Sequence, residues 1–222
     1  MTRLIDDRNA ASIRSVVALC LLLSSVGMLG ATAASAATII TEVSPTQGVV
    51  GGTTVAFGWN QTIAYNNVLI SMDLATNNGS GSTVSAFLTS QIGPGTTIAE
   101  QLATQVVVVA PGSATYNLFS GLSLGPGNYF VTVDPADGVT GILGGGAPVA
   151  PTLGLGVTSL GEFTMGADIY PPAGTAAEAT FGLRFNVTGE IVPEPTSIGL
   201  LATGAIFVVG VYRRRRFKPA GV

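Results

Sequence analysis

The sequence has no histidine, a single cysteine (Cys20) and a single lysine (Lys218). Without His, Ser-His-Asp and Cys-His nucleophiles have no base, and with one Cys a thiolate or imidazole zinc site has no ligands. Residues 37–192 contain no Lys, which excludes a Walker phosphate loop and a lysine Schiff base there. Positive charge is equally scarce in that stretch: Arg184 stands alone against nine Asp and Glu, a net −8. A surface of that sign repels nucleic acid, whose binding depends on neutralising phosphates.

The basic residues gather at the two ends. Residues 1–36 carry Arg3, Arg8 and Arg14 against Asp6 and Asp7. Residues 193–222 carry Arg213, Arg214, Arg215, Arg216 and Lys218 against Glu194, and the whole chain sums to −3. An acidic middle between two short, apolar, basic-flanked ends is the layout of an exported protein.

The first end reads as a signal peptide, residues 1–36. Its Arg residues precede an uncharged apolar run from Val16 to Ala31 that ends in Ala34-Ser35-Ala36, a small-residue site of the kind signal peptidase accepts. Ala34 and Ala36 are the site residues, and the mature chain is expected to start at Ala37. Leu19 precedes Cys20 where a lipoprotein signal needs a small residue. Cys20 therefore leaves with the signal, and the mature protein has no thiol and no disulfide.

The other end, residues 191–222, has three parts. Val192-Pro193-Glu194-Pro195 is an extended strip, because each Pro lacks an amide hydrogen and restricts the residue before it. An apolar segment follows, and residues 196–212 are predicted to be a transmembrane helix at the short limit of length, about 17 residues at ~1.5 Å each. Arg213 to Arg216 then stop the chain on the cytoplasmic side and leave the acidic domain outside. This tripartite end resembles the PEP-CTERM sorting signal of exported proteins of Gram-negative bacteria. The resemblance covers about 30 residues, from Val192 onward, and implies recognition and cleavage near Pro193-Glu194-Pro195 by exosortase, an integral-membrane cysteine protease. It also implies transfer to the cell envelope, cell surface or extracellular matrix, in organisms that often make exopolysaccharide.

Residues 37–190 form one domain by size. Val55, Phe57 and Trp59 alternate with Thr54, Ala56 and Gly58. Tyr129, Val131 and Val133 alternate with Phe130 and Thr132, and Phe181, Leu183, Phe185 and Val187 with Gly182, Arg184 and Asn186. Val68–Met72, Val106–Val109, Tyr116–Phe119 and Glu162–Tyr170 are further strand candidates. Gly125-Pro126-Gly127 and residues 77–82 read as turns, Thr97–Thr104 as a possible short helix, and Gly141–Gly156 as a long loop or bent hairpin. The expected fold is all-β: a single antiparallel β-sandwich, jelly-roll or immunoglobulin-like, between an N-terminal signal helix and the C-terminal membrane helix.

No catalytic residue and no cofactor emerge. Gly121-Leu122-Ser123-Leu124-Gly125 matches a nucleophile-elbow pattern, but a hairpin follows it and no base exists. Asp134 with Asp137, and Glu162 with Asp168, are the carboxylate pairs nearest in sequence, and both are expected in solvated turns or on exposed faces. Asp134 and Asp137 are also weak Ca²⁺ candidates, lacking the spacing of regular calcium loops. Trp59, Tyr65, Tyr116 and Tyr129 could form an aromatic platform for sugar, although the register of Trp59 favours the core. Sequons occur at Asn60, Asn78 and Asn186. The sequence thus reads as a non-enzymatic envelope or extracellular-matrix protein associated with exopolysaccharide or biofilm. Its expected partners are the secretion machinery, signal peptidase, an exosortase-like protease, the membrane and polysaccharide, and no nucleic acid. The alternative is a carbohydrate-binding surface module, with or without Ca²⁺.

Overall fold

A computed structural model describes residues 35–45, 48–135 and 140–193. The signal segment, the helix expected at 196–212 and Asp137 lie outside them. Within the described residues the chain is all-β, and its strands build two antiparallel sheets.

The first sheet contains β1 (Ala37–Val43), β2 (Gly48–Gly51), β4 (Tyr65–Thr76), β7 (Gly112–Leu124), β9 (Thr140–Gly144), β10 (Thr152–Leu153) and β13 (Arg184–Ile191). Its central strand is β4, which is long enough to pair with β7 on one edge and with β13 and then β9 on the other. The second sheet runs β12 (Ala176–Glu178), β11 (Val157–Met165), β3 (Val55–Gln61), β8 (Gly127–Pro135), β5 (Ser82–Thr89), β6 (Gln101–Val109).

The period-2 patterns decide which face is buried. In the second sheet Val55 pairs with Val133, Phe57 with Val131 and Trp59 with Tyr129, and all six side chains turn inward. They meet Ile70, Met72 and Leu74 of β4, Phe185 and Val187 of β13, Ile40 of β1 and Ile142 of β9 in one continuous core. Phe57 stacks on Phe185 with ring centroids 3.8 Å apart, joining the sheets at mid-core. Burying such large side chains stabilises the fold by roughly 1.5–3 kcal/mol each, so the core holds without a disulfide.

Polar atoms that enter the core are tied down. The Trp59 indole N–H donates to Gln61 Oε1 at 2.9 Å, and Gln61 Nε2 in turn donates to the carbonyls of Leu124 and Gly125 at 3.0 and 2.9 Å. Gln61 thus fastens the β7–β8 hairpin, whose turn is the expected Gly125-Pro126-Gly127, to the end of β3. On the outer face of the same sheet the Phe130 ring lies over Gly58, where a Cβ would overlap it.

Several local expectations need correction. The helix considered for Thr97–Thr104 is a single 3-10 turn, Ile98–Glu100, capped by the Thr97 hydroxyl and closed by the Glu100 carboxylate on the Thr97 amide. From Gln101 the Val-rich run takes over as β6, because pairing along the whole of β5 offers more hydrogen bonds than another turn of helix. Gly141–Gly156 is not one loop: Ile142 is buried in β9, which bridges β2 and β4. The strand placed at Glu162–Tyr170 begins earlier, at Val157, and ends at Met165, after which Pro171–Ala173 forms a second 3-10 turn.

Candidate functional site

The domain starts and stops on neighbouring strands. Strand β1 begins at Ala37 and runs antiparallel to β13, with Ala37 opposite Gly189. Ala36, exposed, precedes the first strand residue directly, and Ala34 lies outside the described residues. At the other terminus Ile191 pairs with Tyr65, and the Val192 amide donates to the Ala64 carbonyl at 3.0 Å. Pro193 follows, exposed and without an amide hydrogen, so the hydrogen-bonding ladder cannot extend through it. Among the described residues the half-buried Val192 is the last one hydrogen-bonded at this end of the sheet. Glu194, Pro195 and Arg213 to Arg216 lie outside the described residues. Among the described residues no helix is long and apolar enough to cross a membrane.

Ala37 and Ile191, which bound the domain's first and last strands, consequently lie at one pole of the sandwich.

The candidate ligand residues are scattered. Asp134 accepts a hydrogen bond from the Thr54 hydroxyl beside β3. Among the described residues no group of three or more His, Cys, Asp or Glu could hold a metal. The aromatic platform does not form. Trp59 and Tyr65 are fully buried, Tyr129 nearly so, and Tyr116 packs against the core while its hydroxyl accepts from the Ala110 amide. Ser123 of the elbow-like pentapeptide sits near the end of β7, before the hairpin into β8.

Glu162 and Asp168 do not pair either. Asp168 is exposed on the loop after β11, where it accepts from the Tyr170 amide. Glu162 points inward, contrary to its expected exposure, because Gly161 with φ +105° sits at a bulge where β11 shifts register against β3. Its partner is Glu42 of β1, a residue not singled out by the sequence reading. Glu42 lies opposite Phe185 and Glu162 opposite Phe57, so the two carboxyls, one from each sheet, meet on one side of the Phe57–Phe185 stack.

Glu42 Oε1 accepts from the Ser44 hydroxyl at 2.7 Å and the Val149 amide at 3.3 Å, and Glu162 Oε1 accepts from the Leu183 amide at 3.3 Å. Glu162 Oε2 is buried with no donor from the protein. Burial, a hydrogen bond with Glu42 and the charge of Glu42 together push the Glu162 carboxyl up to about 8. At neutral pH it keeps its proton, and a proton directed at Glu42 removes the orphaned acceptor.

The outer face of the first sheet carries a shallow concavity of about 170 Å³ across β1, β13, β4 and β7. Asp73 and Arg184 form its floor, joined at 2.8 Å; this is the single ion pair among the described residues. Thr115 donates to Asp73 at 2.5 Å, and Arg184 also donates to the Ser44 carbonyl at 2.9 Å. Asn186, on the wall, carries one of the sequons.

Residues 192–216 match the family model of the PEP-CTERM protein-sorting motif. No curated protein and no solved structure matches the chain. The match begins at Val192, the last hydrogen-bonded residue among those described, so that this chain carries a PEP-CTERM protein-sorting motif that starts where the two-sheet β-domain ends.

Proposed function

We propose that the protein is an exported, non-enzymatic constituent of the cell envelope or extracellular matrix. In this reading signal peptidase removes residues 1–36, the apolar segment at 196–212 tethers the chain in the membrane, and exosortase cuts near Pro193-Glu194-Pro195. The sorting motif at 192–216 is the observation that carries it. The emergence of β1 and β13 at one pole supports it, since a precursor held at both ends needs its two connections side by side. The chemistry of the domain points the same way: without His, and with its one Cys in the signal segment, it lacks the common nucleophile–base pairs. The low density of charge suits a polysaccharide-rich matrix.

Mass spectrometry of envelope and secreted fractions tests this reading. The expected mature chain starts at Ala37 and ends near Pro195. Recovery only of chains that retain Arg213 to Val222 would refute processing.

A second reading, a carbohydrate-binding module, is favoured by the polar concavity around Asp73, Arg184 and Asn186. Its polar groups would bind sugar hydroxyls without aromatic stacking. Calorimetry against a panel of polysaccharides checks it: heat that disappears in Asn186→Ala supports the site, and silence across the panel removes it.

A further inference from the structure

The edges of the two sheets are not alike. Strands β2, β10 and β12 are edges of four, two and three residues. The long edge β7 is broken by three register shifts against β4 and turns Ser113, Thr115, Asn117 and Ser120 to solvent. Short length, bulges and polar side chains are the usual devices that stop an edge from recruiting another strand.

Strand β6 has fewer of them: its one register shift lies at its start, before Ala103, and its polar side chains are confined to Gln101, Thr104 and Gln105. It is nine residues long and contains neither Pro nor charge. From Ala103 to Val109 it pairs with β5 in unbroken register, and among the described residues β5 is the only strand paired with it. Its far-side backbone groups therefore have no strand partner among the described residues. Its outward side chains are mostly apolar, Leu102, Val106 and Val108 being exposed by 51, 62 and 73 % around the exposed Thr104. A free edge with an aliphatic stripe is a template for strand addition.

Charge selects the occupant. Two copies of a domain at −8 repel each other over most of their surfaces, yet residues 101–133 contain no Asp, Glu, Lys or Arg, and neither does β5. The flank formed by β5 and β6 is where like copies approach with least repulsion. A strand paired antiparallel with its own copy about a two-fold axis is also self-complementary: with the axis at Val106, that residue meets its own copy and Val108 meets the methyl-bearing Thr104. We propose that β6 is a homodimerisation edge, at which two copies join their second sheets into one continuous sheet of twice the width. This stands independently of the envelope assignment.

Thiol cross-linking of the full-length chain in the producing cells tests it. In a Cys20→Ser background, Thr104→Cys places a thiol near the middle of β6, and Asn117→Cys places one on β7 as a control. A membrane-permeant bismaleimide reads contact in any compartment, so the result does not depend on export. The expected product is a species of twice the chain mass from Thr104→Cys but not from Asn117→Cys, with no larger ladder because a two-fold pair uses up both edges. Adding Val106→Lys should lower its yield about tenfold, as like charges meet across the axis. Val106 is largely exposed, so unchanged protease resistance of that variant shows that the fold survives. Equal cross-linking from both positions, a cross-link to a different protein, a ladder, or a yield indifferent to Val106→Lys would each overturn the proposal.

Discussion

Glu42 and Glu162 face each other from opposite sheets, on one side of the stacked Phe57 and Phe185, where burial and the proximity of Glu42 favour a proton on Glu162. The Arg184–Asp73 ion pair involves neither of them. Holding two buried carboxyls together costs little while one is neutral, and much once both are charged.

Stability should therefore fall as pH rises. The folded state holds the Glu162 proton up to about 8, whereas the unfolded chain releases it at the ordinary 4.5. Between those values the folded state binds more protons, so stability is fully present below about 4.5, declines through the window and levels off above about 8. Glu162→Gln keeps a donor towards Glu42 and cannot ionise. Urea midpoints measured from pH 4.5 to 9 should decline in the parent and stay nearly flat in the variant. An equal slope in both would remove the pair as the source. Glu100, lowered by the hydrogen bonds from Thr97, acts in the opposite direction and only on the acid side of this window.

Gly182 should tolerate no side chain. A Cβ there would overlap the Ser44 hydroxyl that donates to Glu42 and would crowd Glu42 Oε1. Gly182→Ala is expected to destabilise by about 1–3 kcal/mol, the usual cost of overpacking. Because it disturbs the carboxyl pair, its effect should differ between pH 5 and pH 8.5, which thermal melts at both values would detect.

Gln61→Leu preserves the size of the side chain but strands the Trp59 indole N–H and leaves the Leu124 and Gly125 carbonyls without their side-chain donor. The expected loss is roughly 2–4 kcal/mol, given about 1–3 kcal/mol for each buried polar group left unpaired. Trp59→Phe alone should cost less, since it removes the donor together with its need. Denaturant unfolding of the two variants and the double variant would show the coupling.

Replacing Pro193, Glu194 and Pro195 with Ala should block processing without touching the fold. Among the described residues the last bond to the sheet is from Val192 to Ala64, so the melting temperature should remain within about a degree. Pulse-chase gels should show the uncleaved precursor persisting, and normal maturation would detach the motif from the cut.

Much of the architecture was legible from alternation. The inward sets on β3 and β8, and Phe185 with Val187 on β13, follow directly from period-2 spacing, because one face of each strand is buried. What alternation could not supply was partner and register. Glu162 reads as exposed because carboxylates of a sandwich usually sit in turns or on outer faces, while its neighbour in space arrives on β1 of the facing sheet. The bulge at Gly161 was equally hidden, as it depends on how β11 meets β3. At the carboxyl end the reverse held: the sorting motif is local in sequence and needed no folding to be read.

The pairing of β1 with β13 has a mechanical consequence. Strand β4 starts beside Ile191 at that pole and ends at Thr76, where the chain turns through Asn77 to Gly81 into β5. Twelve residues at about 3.3 Å each set that turn roughly 35–40 Å away. The Asn- and Gly-rich turn thus lies a full strand length from the end at which Val192 leaves the sheet, so a change in one is insulated from the other by the length of β4.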